Sequence, residues 1–73
     1  MKLITLAKNL DLNTETEYFD YCINSYANGN FAQCRKLFAD MNGEDRKRLV
    51  EYIAGCYDNP QSKDVYKFYW NLL

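Results

Sequence analysis

Seventy-three residues, 48% of them hydrophobic and 16% aromatic, give room for one domain with a small core and no more. Nine basic against ten acidic side chains leave a net charge of −1, which argues against a nucleic-acid partner, whose binders usually show a strongly basic face. There is no histidine, and Cys22, Cys34 and Cys56 form no Cys-x-x-Cys pair, so the usual structural zinc sites are not expected and neither is a cofactor or metal.

A chain this short buries only about 60% of the surface its unfolded form exposes, so its core needs a supplement. Three widely spaced cysteines do not make a disulfide framework, which leaves a dense aromatic core or self-association. Seven Tyr, four Phe and one Trp supply material for both. The opening run Met1 to Ala7 is interrupted by Lys8 and Asn9 and does not read as a secretory signal. No stretch approaches the ~20 apolar residues of a membrane span. The expectation is a cytoplasmic protein with no membrane attachment, its reduced thiols packed as small hydrophobes.

Leu3, Leu6, Ala7 and Leu10 recur at helical spacing and predict a short helix over residues 2–10, broken by Asp11-Leu12-Asn13. Its leucines are expected to close one end of the core as a lid; the alternative is an arm that inserts into a partner. Thr14-Glu15-Thr16-Glu17 is a capping box, in which Thr14 accepts from an N–H three residues on and Glu17 reaches back to the N–H of Thr14. The helix so begun runs to about Ala27. Tyr18, Phe19, Cys22, Ile23, Tyr26 and Ala27 form its apolar side, Asp20, Asn24 and Ser25 its other side, and Tyr21 lies off the stripe.

Asn28-Gly29-Asn30 ends that helix, with Gly29 in the left-handed conformation and Asn30 as cap of the next. So short a connection makes the two helices antiparallel neighbours. The third helix runs from Phe31 to about Met41 on the stripe Phe31, Cys34, Phe38 and Met41, widened by Leu37, with Gln33, Arg35, Lys36 and Asp40 outside it. Asn42-Gly43 reads as a second turn of the same kind, and Glu44-Asp45 opens a fourth helix whose buried side is Leu49, Val50, Ile53, Ala54 and Tyr57. Asp58-Asn59-Pro60 stops it. Ser62 is expected to cap a last helix with two apolar stripes, Val65-Phe68-Tyr69-Leu72 and Tyr66-Trp70-Leu73. A helix apolar nearly all round is either central or has a partner on its second face. The sum is an all-α protein, a small bundle of four to five short helices built on an antiparallel helical hairpin.

Residues 18–41, through Asn28-Gly29-Asn30-Phe31 and then Cys34, Phe38 and Met41, resemble one tetratricopeptide-type hairpin: a Gly closes the first helix and an aromatic, a small residue and an aromatic follow. The Trp and Leu-Gly signature of that repeat's first helix is missing. The resemblance implies the local hairpin geometry. In size and composition the chain is also similar to the small helical proteins of bacteriophages and mobile elements.

The chemistry in the sequence is sparse. Glu17 and Asp20 can share a helix face, but the carboxylates cluster in first helical turns, where they serve as caps and against the helix dipole. All three cysteines sit on apolar stripes with no base to activate them. Gly-rich phosphate loops are absent. Arg46-Lys47-Arg48, with Arg35-Lys36 one helix earlier, invites a helix-turn-helix reading of residues 31–57 as a small DNA-binding regulator. Glu44 and Asp45 would repel phosphates at the very end that must approach them. The same cations could instead meet an acidic protein. Tyr21, Tyr52, Tyr66 and Trp70 belong to residue types that dominate interface hot spots. The sequence therefore points to a non-enzymatic protein–protein interaction module, a small phage-type regulator or inhibitor that binds a larger protein or itself through its C-terminal helix. Tyr66, Trp70, Tyr52, Arg35, Arg46 and Arg48 are its candidate contacts.

Overall fold

In the computed structural model, residues 2–55 and 62–73 are described. They form five helices: α1 (Leu3–Asn9), α2 (Glu15–Ala27), α3 (Phe31–Asp40), α4 (Gly43–Ala54) and α5 (Ser62–Leu72). No strand occurs among the described residues, and the fold is a small all-α bundle. The expectations for Cys56, Tyr57, Asp58-Asn59-Pro60 and the capping side chain of Ser62 lie outside the described residues.

Two left-handed residues punctuate the first half. Asp11 has φ 60° and Gly29 has φ 76°. Each follows a helix and closes a Schellman motif, in which two N–H groups beyond the helix satisfy carbonyls of its last turn. After α1, Leu12 N–H donates to the Ala7 carbonyl at 2.9 Å and Asp11 N–H to that of Lys8 at 3.0 Å. After α2, Asn30 N–H donates to the Ser25 carbonyl and Gly29 N–H to that of Tyr26, both at 2.9 Å. Asn30 then turns its side-chain oxygen to the N–H of Gln33 at 3.3 Å and caps α3. Helix end and helix start thus share three residues, and α2 and α3 fold back on each other.

The N-terminus of α2 carries the expected cap, with Glu17 N–H donating to Thr14 Oγ1 at 3.1 Å. The carboxylate of Glu17 reaches one residue further back than expected, to the N–H of Asn13 at 2.7 Å. The second Asn-Gly pair is not a turn of the first kind. Met41 and Asn42 are both extended, with ψ of 151° and 170°, and Gly43 is the first residue of α4. Asn42 caps that helix through the N–H of Asp45 at 2.8 Å. At the end of α3 the Met41 N–H donates to the Phe38 carbonyl at 3.2 Å, and a side chain adds to it: Arg46 Nε donates to the same carbonyl at 3.0 Å and its Nη2 to that of Ala39 at 2.9 Å.

The core draws on every helix, from Leu3 and Ala7 of α1 to Val65 and Tyr69 of α5. Its two largest fully buried side chains are tyrosines. A buried phenol needs an acceptor, and both find one on a neighbouring helix. Tyr18 donates to the Leu37 carbonyl at 2.8 Å and joins α2 to α3. Tyr69 donates to the Cys22 carbonyl at 2.8 Å and joins α5 to α2. α4 and α5 pack on each other and reach back to α2 and α3 respectively, while α1 lies on α2.

Three expectations about faces need correction. Ser25, assigned to the outer side of α2, is buried, because its hydroxyl lies 2.9 Å from the Tyr21 carbonyl and 3.2 Å from Gln33 Oε1 and is satisfied without water. Phe31, assigned to the core stripe, is 43% exposed. It is the first residue of α3 and rests at the rim against Tyr26 and Phe68, with ring centroids 5.4 and 5.7 Å away. Ala27, at the end of α2, is exposed as well.

Candidate functional site

On α5 the stripe Val65–Phe68–Tyr69–Leu72 faces the bundle, with Val65 and Tyr69 buried and the other two half-buried. Tyr66, Trp70 and Leu73 stand on the opposite side at spacings of four and three. Trp70 is 56% exposed and Leu73 51%. The Tyr66 and Trp70 rings are stacked, with centroids 6.0 Å apart and planes 18° from parallel.

α4 runs beside this stripe and offers one of its own. Lys47, Val50, Glu51 and Ala54 recur at three-, one- and three-residue steps, the spacing of a single helix face. With Tyr66, Trp70 and Leu73 they line an open groove of about 340 Å³. Its floor is apolar, since Val50 is buried and Ala54 half-buried. Its rim holds one cation and one anion. Lys47 and Glu51 are exposed and make no ion pair among the described residues; both ion pairs found there belong to Arg48.

The structure brings Tyr66 and Trp70 together and disperses the other four candidates. Tyr52 lies on the α2 side of α4, its hydroxyl donating to Asp20 Oδ1 at 2.7 Å and its ring 5.5 Å from that of Phe19. Arg48 joins the same seam, 3.0 Å from Glu15 and 2.9 Å from Asp45, with its guanidinium 5.8 Å from the Phe19 ring centroid. These hydrogen bonds, the one to Glu15 first, hold its pKa above the usual arginine value. Arg46 caps α3 and lies over Phe38 at 5.6 Å. Arg35 lies over Phe68 at 5.9 Å, beside the Tyr26–Phe31–Phe68 ring cluster. Arg35, Arg46, Lys47 and Arg48 therefore lie at four different places and do not add up to one basic face. Reading the sequence missed the α4 wall of the groove. The signal was present: Lys47-Val50-Glu51-Ala54 has the same face spacing as Tyr66-Trp70-Leu73.

No group of three or more potential metal ligands exists among the described residues, and no buried side-chain polar atom there is left without a partner. Cys22 and Cys34 are free and buried, with Cys34 Sγ 3.9 Å from the Cys22 carbonyl oxygen. Burial, and then the neighbouring Cys34, pushes the Cys22 thiol up to about 12, so it is not a thiolate at neutral pH. A second groove of about 260 Å³, between α1 and the α2–α3 hairpin, mixes Leu6, Leu10 and Leu37 with Asn9, Gln33, Lys36 and Asp40. No helix among the described residues is long and apolar enough to cross a membrane.

Fold and groove together define a small all-α bundle with an aromatic stripe exposed on α5. Comparison of the chain with protein-family models, with curated proteins and with solved structures finds no match.

Proposed function

We propose that the chain is a non-enzymatic protein-interaction module, a small regulator that works by docking its α4–α5 face on another polypeptide. The observation that carries this reading is Trp70, more than half exposed yet held in a stack on Tyr66 above an apolar groove. A contiguous exposed apolar patch rimmed by polar residues marks an interaction site, and Trp and Tyr are the anchors that dominate interface energies. The stack fixes the ring before contact, so little rotamer freedom is lost on binding. An apolar floor inside a charged rim is also the anatomy of a protein interface. Two free, buried thiols support the reducing cytoplasm as its setting.

The test is site-specific photocrosslinking in cells that express the chain. Benzoylphenylalanine placed at Trp70 is expected to give covalent protein adducts on irradiation. The same probe at Thr16, exposed on α2, is expected to give none. No adduct at position 70 in a folded chain overturns the reading.

A further inference from the structure

The groove rim carries information about what covers it. Lys47 and Glu51 lie four residues apart on one face of α4, about 6 Å along the axis. They are opposite in sign and make no ion pair among the described residues, although a neighbouring cation, Arg48, pairs with two carboxylates. Between and beside them lie the apolar Val50, Ala54, Trp70 and Leu73. A face with one charge of each sign, one turn apart, is complementary to itself when turned by a two-fold axis.

Resting on the reading of this face as a protein contact, we infer that its occupant is a second copy of the chain. With the axis perpendicular to α4 between positions 47 and 51, the two α4 helices run antiparallel. Lys47 of each copy then meets Glu51 of the other, so one symmetric contact makes two ion pairs. The aromatic stripe of each α5 lies over the groove of its mate, and Trp70 is covered from the side that water now occupies. The contact is a four-helix packing made from two helices per copy. A partner of uniform sign would leave either Lys47 or Glu51 facing a like charge. A standard interface takes about 800 Å² per partner, roughly one sixth of the 4805 Å² this chain exposes. Association is also a known remedy for a core this small.

Sedimentation equilibrium across a concentration series tests the inference. At low salt the wild-type mass is expected to rise from 8.7 kDa toward twice that value as concentration increases. Lys47→Glu alone and Glu51→Lys alone each set like charges opposite one another twice, and each is expected to weaken the dimer about tenfold. The double variant Lys47→Glu/Glu51→Lys restores opposite signs and is expected to return affinity to within about threefold of wild type. Trp70→Asp is expected to leave helicity intact and abolish the dimer. A monomer at every concentration up to about 1 mM overturns the inference, and so does a double variant no better than the single ones. The two readings fail separately. A monomeric chain that still crosslinks another protein from position 70 removes the second copy and keeps the interaction face. A chain that crosslinks nothing removes both.

Discussion

Tyr69 donates its phenol proton to the Cys22 carbonyl oxygen at 2.8 Å, while the next residue, Trp70, is 56% exposed. Adjacent aromatics on one helix thus have opposite environments. Tyr69→Phe removes the hydroxyl that ties α5 to that carbonyl and is expected to cost about 0.5–1.5 kcal/mol. Trp70→Ala loses only a surface stack and is expected to stay within about 1 kcal/mol of wild type. Urea denaturation followed by circular dichroism measures both. A Trp70 variant as destabilised as the Tyr69 one would mean that the exposed ring is structural.

The two Asn-Gly pairs make a second contrast. A Cβ on Gly29 or Gly43 would meet nothing within 4 Å, so backbone conformation alone decides the effect. Gly29 is left-handed, and Gly29→Ala is expected to destabilise by about 1–2 kcal/mol. Gly43 is the helical first residue of α4, and Gly43→Ala is expected to stabilise by up to about 1 kcal/mol. Asp11→Gly relieves the left-handed aspartate and is expected to add about 0.5–1 kcal/mol. Melting temperatures should order Gly43→Ala above wild type and Gly29→Ala below it.

The sequence carried the helices because their signals are local. Thr14, Gly29 and Asn30 announce caps and turns through their own chemistry, and the stripes on α2 and α5 need only periodicity. What was illegible depends on reach and end effects. Nothing in the spacing says that Arg46 folds back eight residues to the Phe38 carbonyl, or that Arg48 crosses to Glu15, 33 residues away. Ser25 is buried because its own helix satisfies the hydroxyl, a compensation that a polar/apolar stripe does not register. Phe31 falls on the right stripe, but at a helix start the stripe runs out of bundle. The Tyr66–Trp70–Leu73 half of the groove was visible as a second apolar stripe. The α4 half was hidden because Lys47 was counted in a run of three cations.

Two of those three cations, Arg46 and Arg48, should separate by mutation. Arg46 places two charge-assisted bonds on carbonyls of the last turn of α3, those of Phe38 and Ala39, and it is half-buried. Arg46→Ala is expected to cost about 1–2 kcal/mol, with Arg46→Lys recovering only part because a lysine lacks the fork. Arg48 is exposed, so its pairs with Glu15 and Asp45 are screened by water. Arg48→Ala is expected to cost no more than about 1 kcal/mol, less at high salt. Denaturation at low and high ionic strength distinguishes the two. Equal, salt-sensitive losses would show that the Arg46 cap is only another surface charge.

Alkali should loosen the fold before acid does anything comparable through these groups. Burial first, then Cys34, raises Cys22 to about 12 from an ordinary value of 9.0. Tyr18 and Tyr69 are raised from 10.0 chiefly by burial as well. Above pH 9 the unfolded chain releases the Cys22 proton while the folded chain keeps it, so the folded state binds more protons and stability falls as pH rises. The contribution is whole below about pH 9 and is lost as pH climbs toward 12, with the tyrosines adding to the fall above pH 10. Each group sets a slope of at most about 1.4 kcal/mol per pH unit. Urea midpoints are expected to hold between pH 7 and 8.5 and to drop by pH 10.5. Cys22→Ala starts from lower stability, yet its decline between pH 9 and 10 is expected to be shallower. A midpoint unchanged from pH 8 to 10.5 would mean that the Cys22 thiol ionises in the folded core as readily as in the unfolded chain.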